Sequence, residues 1–291
     1  MSAASVKVPA ASVKAPKYSA PAAGCAADVL LALARRGAQL SLSDLSEHTG
    51  HTKSLVYRVL AELEPRGYVT KLETGQYTLG LATVELGGAF AVQMPLMASL
   101  RRVCRRLAKL TEETVNLGVL QGDQVLYLVR EEGGRSVFAL STVGKLLPAN
   151  AVALGKALLA LHTDDQLRDI FAAQLGQHGQ LTAITHDTIT SVDELIAELG
   201  RVRDAGHAEE HGEAVAGRCC IAVTAPFRQV QTRAVGISVS MNEARFAGAR
   251  EMVLNGLQEA RDQIAREVRG RAAVGEEAST AELMIGGISQ W

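Results

Sequence analysis

Apolar residues recur at helical spacing over the first quarter of the chain and at a spacing of two further on. This change of period divides the molecule. Val29, Leu30, Leu33 and Ala34 predict a first helix over residues 22–36. Leu42 and Leu45, with Ala38, supply the apolar contacts of a second. Ser43 is expected to cap it, Ser46 stands where an acidic capping partner would be, and Gly50 ends it in a left-handed conformation. Thr52 caps a third helix whose apolar positions are Leu55, Val56, Val59, Leu60 and Leu63. Its opposite face is Lys53, Ser54, Tyr57 and Arg58. Pro65-Arg66-Gly67 stops that helix. Tyr68 to Leu72, the turn Glu73-Thr74-Gly75 and Gln76 to Leu79 then read as a hairpin.

Two short helices around a tight turn, followed at once by a hairpin, make a winged helix-turn-helix. A braced helix that exposes lysine, arginine, serine and tyrosine suits the major groove, because these groups reach base edges and phosphates. The wing tip, from Lys71 to Gln76, is placed to meet backbone or minor groove. Gly80 to Gln93 predicts a connecting helix, which is a natural dimer contact; burial against its own domain is the competing reading. A helix over 95–110 sets Leu96, Leu100, Val103, Leu107 and Leu110 against Arg101, Arg102, Arg105, Arg106 and Lys109. That basic run reads first as a solvated face.

Beyond residue 113 the pattern becomes that of an α/β domain. Thr114–Leu120 and Gln124–Arg130 are strands around a Gly122-Asp123 turn. Residues 137–140 read as a short strand, Ser141–Asn150 as a loop, and Ala151–Leu161, Asp164–Leu175 and Ser191–Ala205 as helices. Cys219–Ala225 and Ala234–Ser240 are strands around a turn at 227–233, and Arg245–Arg269 is a long helix. Hairpins dominate and there is no glycine-rich strand-to-helix turn. The expected fold class is therefore a two-domain α/β chain whose second domain is an antiparallel sheet of five or six strands with helices packed on it.

The chain has 291 residues and a formal net charge of −1, so composition does not announce a nucleic-acid binder. Residues 24–79 hold six lysines and arginines and six acids, and any electrostatic footprint there is local. Cys25, Cys104, Cys219 and Cys220 show no metal or disulfide spacing. No signal-peptide core or membrane-length apolar run appears, so a cytoplasmic setting is expected.

Three constellations resemble chemistry. Gly155-Lys156 lacks the glycine five residues earlier and the following hydroxyl of a phosphate loop, so nucleotide hydrolysis is rejected. Lys156 is assigned to the helix surface, and Gly155 to a close approach to the sheet or to a ligand. His207-Ala208-Glu209-Glu210-His211 matches an inverted zinc-peptidase pattern, which needs a helix to bring His207, Glu210 and His211 to one side. Flanking Gly206 and Gly212 favour a strand-to-loop placement, so a metal-dependent hydrolase is only the alternative of another class. Glu210 and Glu213 are then free to line a cavity or to pair with an arginine. Ser238 and Ser240 share one strand face, as do Cys220 and Ala222. They suit either a small polar ligand or backbone satisfaction, and binding is preferred to catalysis.

Together, Leu42–Leu45 with Gly50, Lys53–Arg58, Tyr68-Val69 and Gly75–Gly80 resemble the DNA-reading unit of the IclR family of bacterial transcription regulators. Residues 143–148 and 153–160, Glu213, Gly217, Cys220–Ala222 and Ser238–Ser240 are similar to its effector-domain signature. Residues 1–21, rich in alanine, serine, lysine and proline, read as a disordered and mostly inert arm that could brush DNA phosphates, and the resemblance implies a winged helix-turn-helix over 22–80. It implies a linker helix over 81–94, a GAF-like effector domain over 95–272 and a flexible tail over 273–291. It further implies a non-enzymatic regulator without a cofactor or metal, a homodimer or dimer of dimers on a palindromic double-stranded operator, and a small organic effector that is an aromatic or carboxylic acid or a related amide or hydrazide. Repression of a catabolic operon is the expected sign, with activation as the alternative.

The DNA-facing set is Ser43, Thr52, Lys53, Ser54, Tyr57 and Arg58, with Lys71 and Gln76 on the wing. The effector set is Leu146, Leu147, Ala153, Leu154, Glu210, Cys220, Ser238 and Ser240. Asn150 stands where a histidine is common and Glu210-His211 where paired aspartates are usual. A cavity glutamate disfavours a bare carboxylate ligand unless a proton or cation offsets the repulsion, which brings a neutral amide, phenol or hydrazide within the expected range.

Overall fold

The computed structural model describes residues 20–36, 39–93, 95–135, 141–229 and 232–285. Most of the predicted arm, Ala38, the short strand at 137–140 and the last six residues lie outside them. The chain falls into two compact units, Met1–Pro95 and Leu96–Trp291.

The first unit is built from helices α1 (Pro21–Arg36), α2 (Leu42–Thr49) and α3 (Lys53–Leu63), strands β1 (Val69–Lys71) and β2 (Tyr77–Leu79), and helix α4 (Ala82–Gln93). Val29, Leu33, Leu45, Val56, Leu60, Val69 and Tyr77 meet in one core. An antiparallel bridge between Leu40 and Tyr77 ties the start of α2 to the wing.

The α2 cap corrects the sequence reading. Ser41, two residues before Ser43, is the N-cap. Its hydroxyl oxygen accepts the Asp44 N–H at 3.2 Å, and the Asp44 carboxylate accepts the Ser41 N–H at 2.9 Å. The reciprocal box needs an acidic or amide side chain three residues on. Ser41 has one in Asp44, whereas Ser43 has only Ser46. The Ser46 hydroxyl instead donates to the carbonyl of His51. Gly50 closes α2 at φ 70°, and the Thr52 hydroxyl accepts the Leu55 N–H, as the pattern predicted. Ser41→Ala should therefore cost about 1 kcal/mol of local stability and Ser43→Ala only a few tenths. Hydrogen-exchange protection along α2 separates the two.

The second unit opens with α5 (Pro95–Thr111), β3 (Thr114–Gln121), β4 (Gln124–Glu131) and β5 (Leu146–Pro148). A single 3-10 turn, Ala149–Ala151, leads into α6 (Ala153–Leu159), α7 (Asp164–His178) and α8 (Val192–Ala205). Strands β6 (Ala208–His211), β7 (Arg218–Gln229) and β8 (Thr232–Asn242) follow, and α9 (Glu243–Ile285) closes the chain. The six strands form one antiparallel sheet in the order β5-β4-β3-β8-β7-β6.

Three segments differ from the sequence reading. Part of the expected loop at 141–150 is the edge strand β5, held by pairing of Leu147 with Val125. The turn expected at 227–233 is shorter, because β7 and β8 continue pairing to Gln229 and Thr232. The last helix runs on to Ile285, through part of the expected tail; that stretch is rich in alanine and glutamate and has no proline to stop it.

Strand alternation gives the sheet two faces. Val235, Ile237, Val239 and Met241 of β8 point to one, where α9 packs on β7 and β8. The other carries Gly236, Ser238 and Ser240 and is covered by α6, with α7 and α8 packed beyond it. All seven residues of α6 are buried. A β-carbon on Gly155 would lie 2.0 Å from the carbonyl oxygen of Ala149. Only glycine lets the helix start this close to the turn before it, so the close approach is to backbone rather than to the sheet.

Candidate functional site

The first candidate surface is one face of α3. Burial of Val56, Val59 and Leu60 fixes the helix rotation and turns Lys53, Ser54, Tyr57 and Arg58 outward. Tyr57 is 58% exposed, a high value for an aromatic on a structured helix. The Arg58 Nε donates to the Ser54 carbonyl one turn back, so the side chain lies along the exposed face. Thr52 is exposed at the N-terminus of α3, and Ser43 is exposed on α2. On the wing, the Lys71 ammonium sits 5.9 Å from the centre of the Tyr77 ring. Gln76 is less available than its position suggested: its amide donates to the Gln39 carbonyl and accepts from the Thr74 hydroxyl.

The second candidate site is a cavity of about 50 Å³ between α6 and the sheet. Its floor is a polar ladder written in the strand register. One rung runs Arg130–Asn116–Ser238 across β4, β3 and β8. The next runs Thr114–Ser240–Cys220–Glu210 across β3, β8, β7 and β6. Directly opposed residues in a sheet point to the same side, so both rungs face the cavity. Leu147, Val152, Ala153 and Leu154 supply its apolar wall. Seven of the eight expected effector residues line it. Leu146 does not, because neighbours on a strand face opposite ways and β5 turns Leu147 inward.

The polar groups are connected. The Arg130 guanidinium donates to the Ser141 carbonyl and hydroxyl at 3.0 and 3.2 Å, and the Ser141 hydroxyl donates to Asn116 Oδ1 at 2.9 Å. Arg218 donates to the carbonyl and hydroxyl oxygens of Ser240, both at 3.2 Å. Glu210 accepts the backbone N–H of Glu213 at 3.0 Å and of Ala214 at 3.4 Å, and a bond from the Cys220 thiol. Burial nevertheless raises the Glu210 carboxyl above its ordinary value, against the lowering effect of those three donors. The Cys220 thiol is pushed well up, first by burial and then by Glu210.

A group whose folded-state pKa is raised contributes stability at acid pH and loses it as pH climbs through the folded value. Glu210→Gln keeps an acceptor and removes the charge. Its melting temperature should exceed that of the wild type by a margin that grows from pH 4 to pH 8, which a calorimetric pH series measures.

Lys156 is not on the helix surface. It is 1% exposed, and its ammonium is paired with the Glu213 carboxylate inside the domain. Every residue of α6 is buried, so the helical period leaves Lys156 no solvent-facing position. Asn150 lies outside the cavity lining and braces the loop before α8, donating to the carbonyls of Thr182 and Ile189, both at 2.9 Å.

The zinc-peptidase alternative fails on geometry. The segment is strand β6, so Glu210 faces α6 while Glu209 and His211 face α9. His207 and His211 both lie against Glu209, which Arg250 holds at 2.7 Å, and His211 packs edge-on to Phe246. Among the described residues no group of three or more histidine, cysteine or acidic side chains is disposed to hold a metal ion.

Comparison with known proteins bears on both sites. The profile of the IclR helix-turn-helix domain matches residues 26–73, and that of the bacterial transcriptional regulator IclR C-terminal domain matches residues 88–266. The chain belongs to the IclR family. It is 31% identical to the HTH-type transcriptional regulator KdgR of Escherichia coli over 213 residues, which is 73% of this chain and 79% of KdgR. It is 28% identical to the HTH-type transcriptional repressor AllR of Escherichia coli, across 77% of this chain and 83% of that one. A crystal structure of an IclR transcriptional regulator from Alicyclobacillus acidocaldarius superposes with a TM-score of 0.74 at 26% identity, covering 86% of this chain and all of the other.

As an IclR-family member the chain is a DNA-binding transcriptional regulator, not an enzyme, with a winged helix-turn-helix, a linker helix and an effector-binding domain. No helix among the described residues is long and apolar enough to cross a membrane. The family signature at 153–160 now has a structural meaning, since it packs α6 over the ladder. Sequence reasoning missed Thr114, Asn116, Tyr127, Arg130, Ser141 and Arg218 in the cavity lining. Thr114 and Asn116 were within reach: they alternate with Val115 and Leu117 as Ser238 and Ser240 do with their neighbours.

Proposed function

We propose that this regulator is a repressor whose operator is read by Lys53, Ser54, Tyr57 and Arg58 of α3, supported by Ser43, Thr52, Lys71 and Gln76. A small organic acid held in the α6 cavity controls its affinity for DNA. The observation that carries the ligand class is the charge of the cavity lining: two guanidinium groups, Arg218 and Arg130, the latter also paired with Glu132 at 2.8 Å, and one carboxyl, Glu210. A glutamate read alone argued against a carboxylate ligand. With Glu210 capped by two backbone N–H groups and a thiol, and with Arg218 bonded to Ser240 beside it, an anion is favoured.

The volume supports a ligand of few heavy atoms. A single buried water needs roughly 10–15 Å³ measured in this way, so the cavity has room for a short oxo or hydroxy acid without rearrangement. The sign of regulation rests on likeness to a relative named as a repressor. Two copies on a palindromic site bring together paired α3 helices. The exposed Leu81, Val84, Leu86 and Phe90 of α4 and its N-terminal approach give the pair an apolar contact.

The test has two arms. A duplex carrying the DNA upstream of the protein's own gene is titrated with the purified chain, and short carboxylates, their amides and phenols are screened by calorimetry. The reading predicts that a carboxylate binds, that its amide binds at least about 10-fold more weakly, and that Arg218→Gln removes the difference. Preference for the amide would overturn the ligand class and leave DNA reading untouched.

A further inference from the structure

Helix α5 meets the sheet through a strained residue. Among the described residues Glu112, between α5 and β3, is the one non-glycine residue with a positive φ, 60°. An L side chain adopts that backbone at a cost, so its surroundings must hold it there. They do so from two sides. The segment after β4 presses on one: a β-carbon on Gly133 would lie 2.2 Å from the Glu112 carbonyl carbon. The Glu112 carbonyl accepts the Arg135 N–H at 3.1 Å, and its carboxylate pairs with the Arg135 guanidinium at 2.7 Å. On the other side Glu113 is anchored, its N–H donating to the Thr111 hydroxyl at 3.3 Å.

Glu113 is a buried carboxyl with an imperfect partner. Its Oε1 lies 2.9 Å from the Arg245 guanidinium at the start of α9, yet makes no hydrogen bond among the described residues. Burial raises the carboxyl above its ordinary value. Arg245, Arg218 and Arg135 pull it back, in that order, and Glu112 pushes it up. A buried charge so loosely paired is costly, and a neutral side chain would fill the position more cheaply. Arg218 is the arginine shared with the cavity. It donates to Ser240, and Ser240 stands opposite Thr114, the residue after Glu113. One guanidinium therefore serves both the cavity wall and a buried carboxyl next to strained backbone.

We propose that Glu113 is the positioning residue that couples the cavity to α5. A carboxylate bound in the cavity draws Arg218 towards itself, Glu113 closes on Arg245, and the backbone at Glu112 changes state with it. Helix α5 starts at Pro95, where the first unit ends, so the chain carries that change towards the DNA-reading unit. A strained residue held by competing contacts is the kind of two-state element that a ligand can bias. The proposal rests on the carboxylate reading of the cavity and adds the step by which occupancy leaves it.

The test is the coupling factor, the ratio of dissociation constants for the upstream duplex with and without saturating carboxylate. Lactate and pyruvate are the fixed probes, beside the carboxylate that binds most tightly in the calorimetric screen. The full chain is compared with Glu113→Gln, which keeps the shape and removes the charge, and with Glu112→Gly, which releases the strain without touching a buried group. The wild type is expected to show a factor of about 5 to 150. In Glu113→Gln it should fall below about 2, and in Glu112→Gly by at least about 3-fold. In both variants the ligand-free duplex affinity and the duplex-free carboxylate affinity should stay within about 3-fold of the wild type, a split that a merely structural role would not produce. A wild-type factor in Glu113→Gln overturns the proposal. So does loss of both affinities together with the melting temperature, which would make Glu113 a packing residue. Should Glu113→Gln fail to fold, an unchanged factor in Glu112→Gly overturns it instead. A factor of one in the wild type defeats the cavity reading itself, and this step with it, so the two failures are told apart.

Discussion

Arg58→Ala should weaken binding to the upstream duplex by about 10- to 100-fold and erase much of the preference over a scrambled duplex, while the ligand dissociation constant of the second unit stays unchanged. A side chain that meets a base edge is worth about 1–3 kcal/mol of discrimination, and truncating it exposes no core. Val56, Val59 and Leu60 hold α3 in place without Arg58, whose hydrogen bond among the described residues is to the Ser54 carbonyl of its own helix. The melting temperature is therefore expected to stay within about 1 °C of the wild type. Competition anisotropy for the two duplexes, with calorimetry for the ligand, checks both halves.

The largest stability effect is expected at the pair beneath the cavity. Lys156→Met leaves Glu213 buried without its cation and should cost about 3–5 kcal/mol. The double variant Lys156→Met/Glu213→Leu removes both charges and should return most of that loss, because a buried pair has already lost its hydration on both sides. Burial holds the Glu213 carboxyl above its ordinary value despite the pull of Lys156. The single variant is accordingly less penalised at acid pH, where Glu213 takes up a proton, and most penalised above neutrality. Urea unfolding followed by circular dichroism at two pH values measures this. Additive losses in the double variant would show that the two side chains act independently.

The elements were legible wherever one face of a helix or strand is buried and the other is not. Val56, Val59 and Leu60 announce the rotation of α3, and with it the exposure of Tyr57 and Arg58. The cap of α2 was misplaced by two residues because both Ser41 and Ser43 are capping types and only the partner Asp44 decides between them. Lys156 was misread because α6 has no exposed side, and a lysine in such a helix leaves no mark in the hydrophobic pattern.

Arg130 shows a limit of another kind. Counting back from the Gly122-Asp123 turn pairs Gln121 with Gln124 and Gly118 with Tyr127. A bulge between Leu117 and Gly118 then shifts the register, so that Asn116 meets Arg130 rather than Val129. One unpaired residue moves a guanidinium from one face of the sheet to the other. Period-two reasoning carries no signal for such a slip, and Arg130 is absent from the expected site as a result.

The two sites make a regulator only if they are coupled, and coupling is reciprocal for binding equilibria. The deciding measurement is the dissociation constant for the upstream duplex with and without a saturating short carboxylate from the screen, together with that of the carboxylate with and without duplex. The account predicts that both change by the same factor, about 5- to 150-fold, and that Ser238→Ala reduces the carboxylate affinity while leaving the ligand-free DNA affinity intact. Tight carboxylate binding in the cavity with a factor of one in both directions would contradict it.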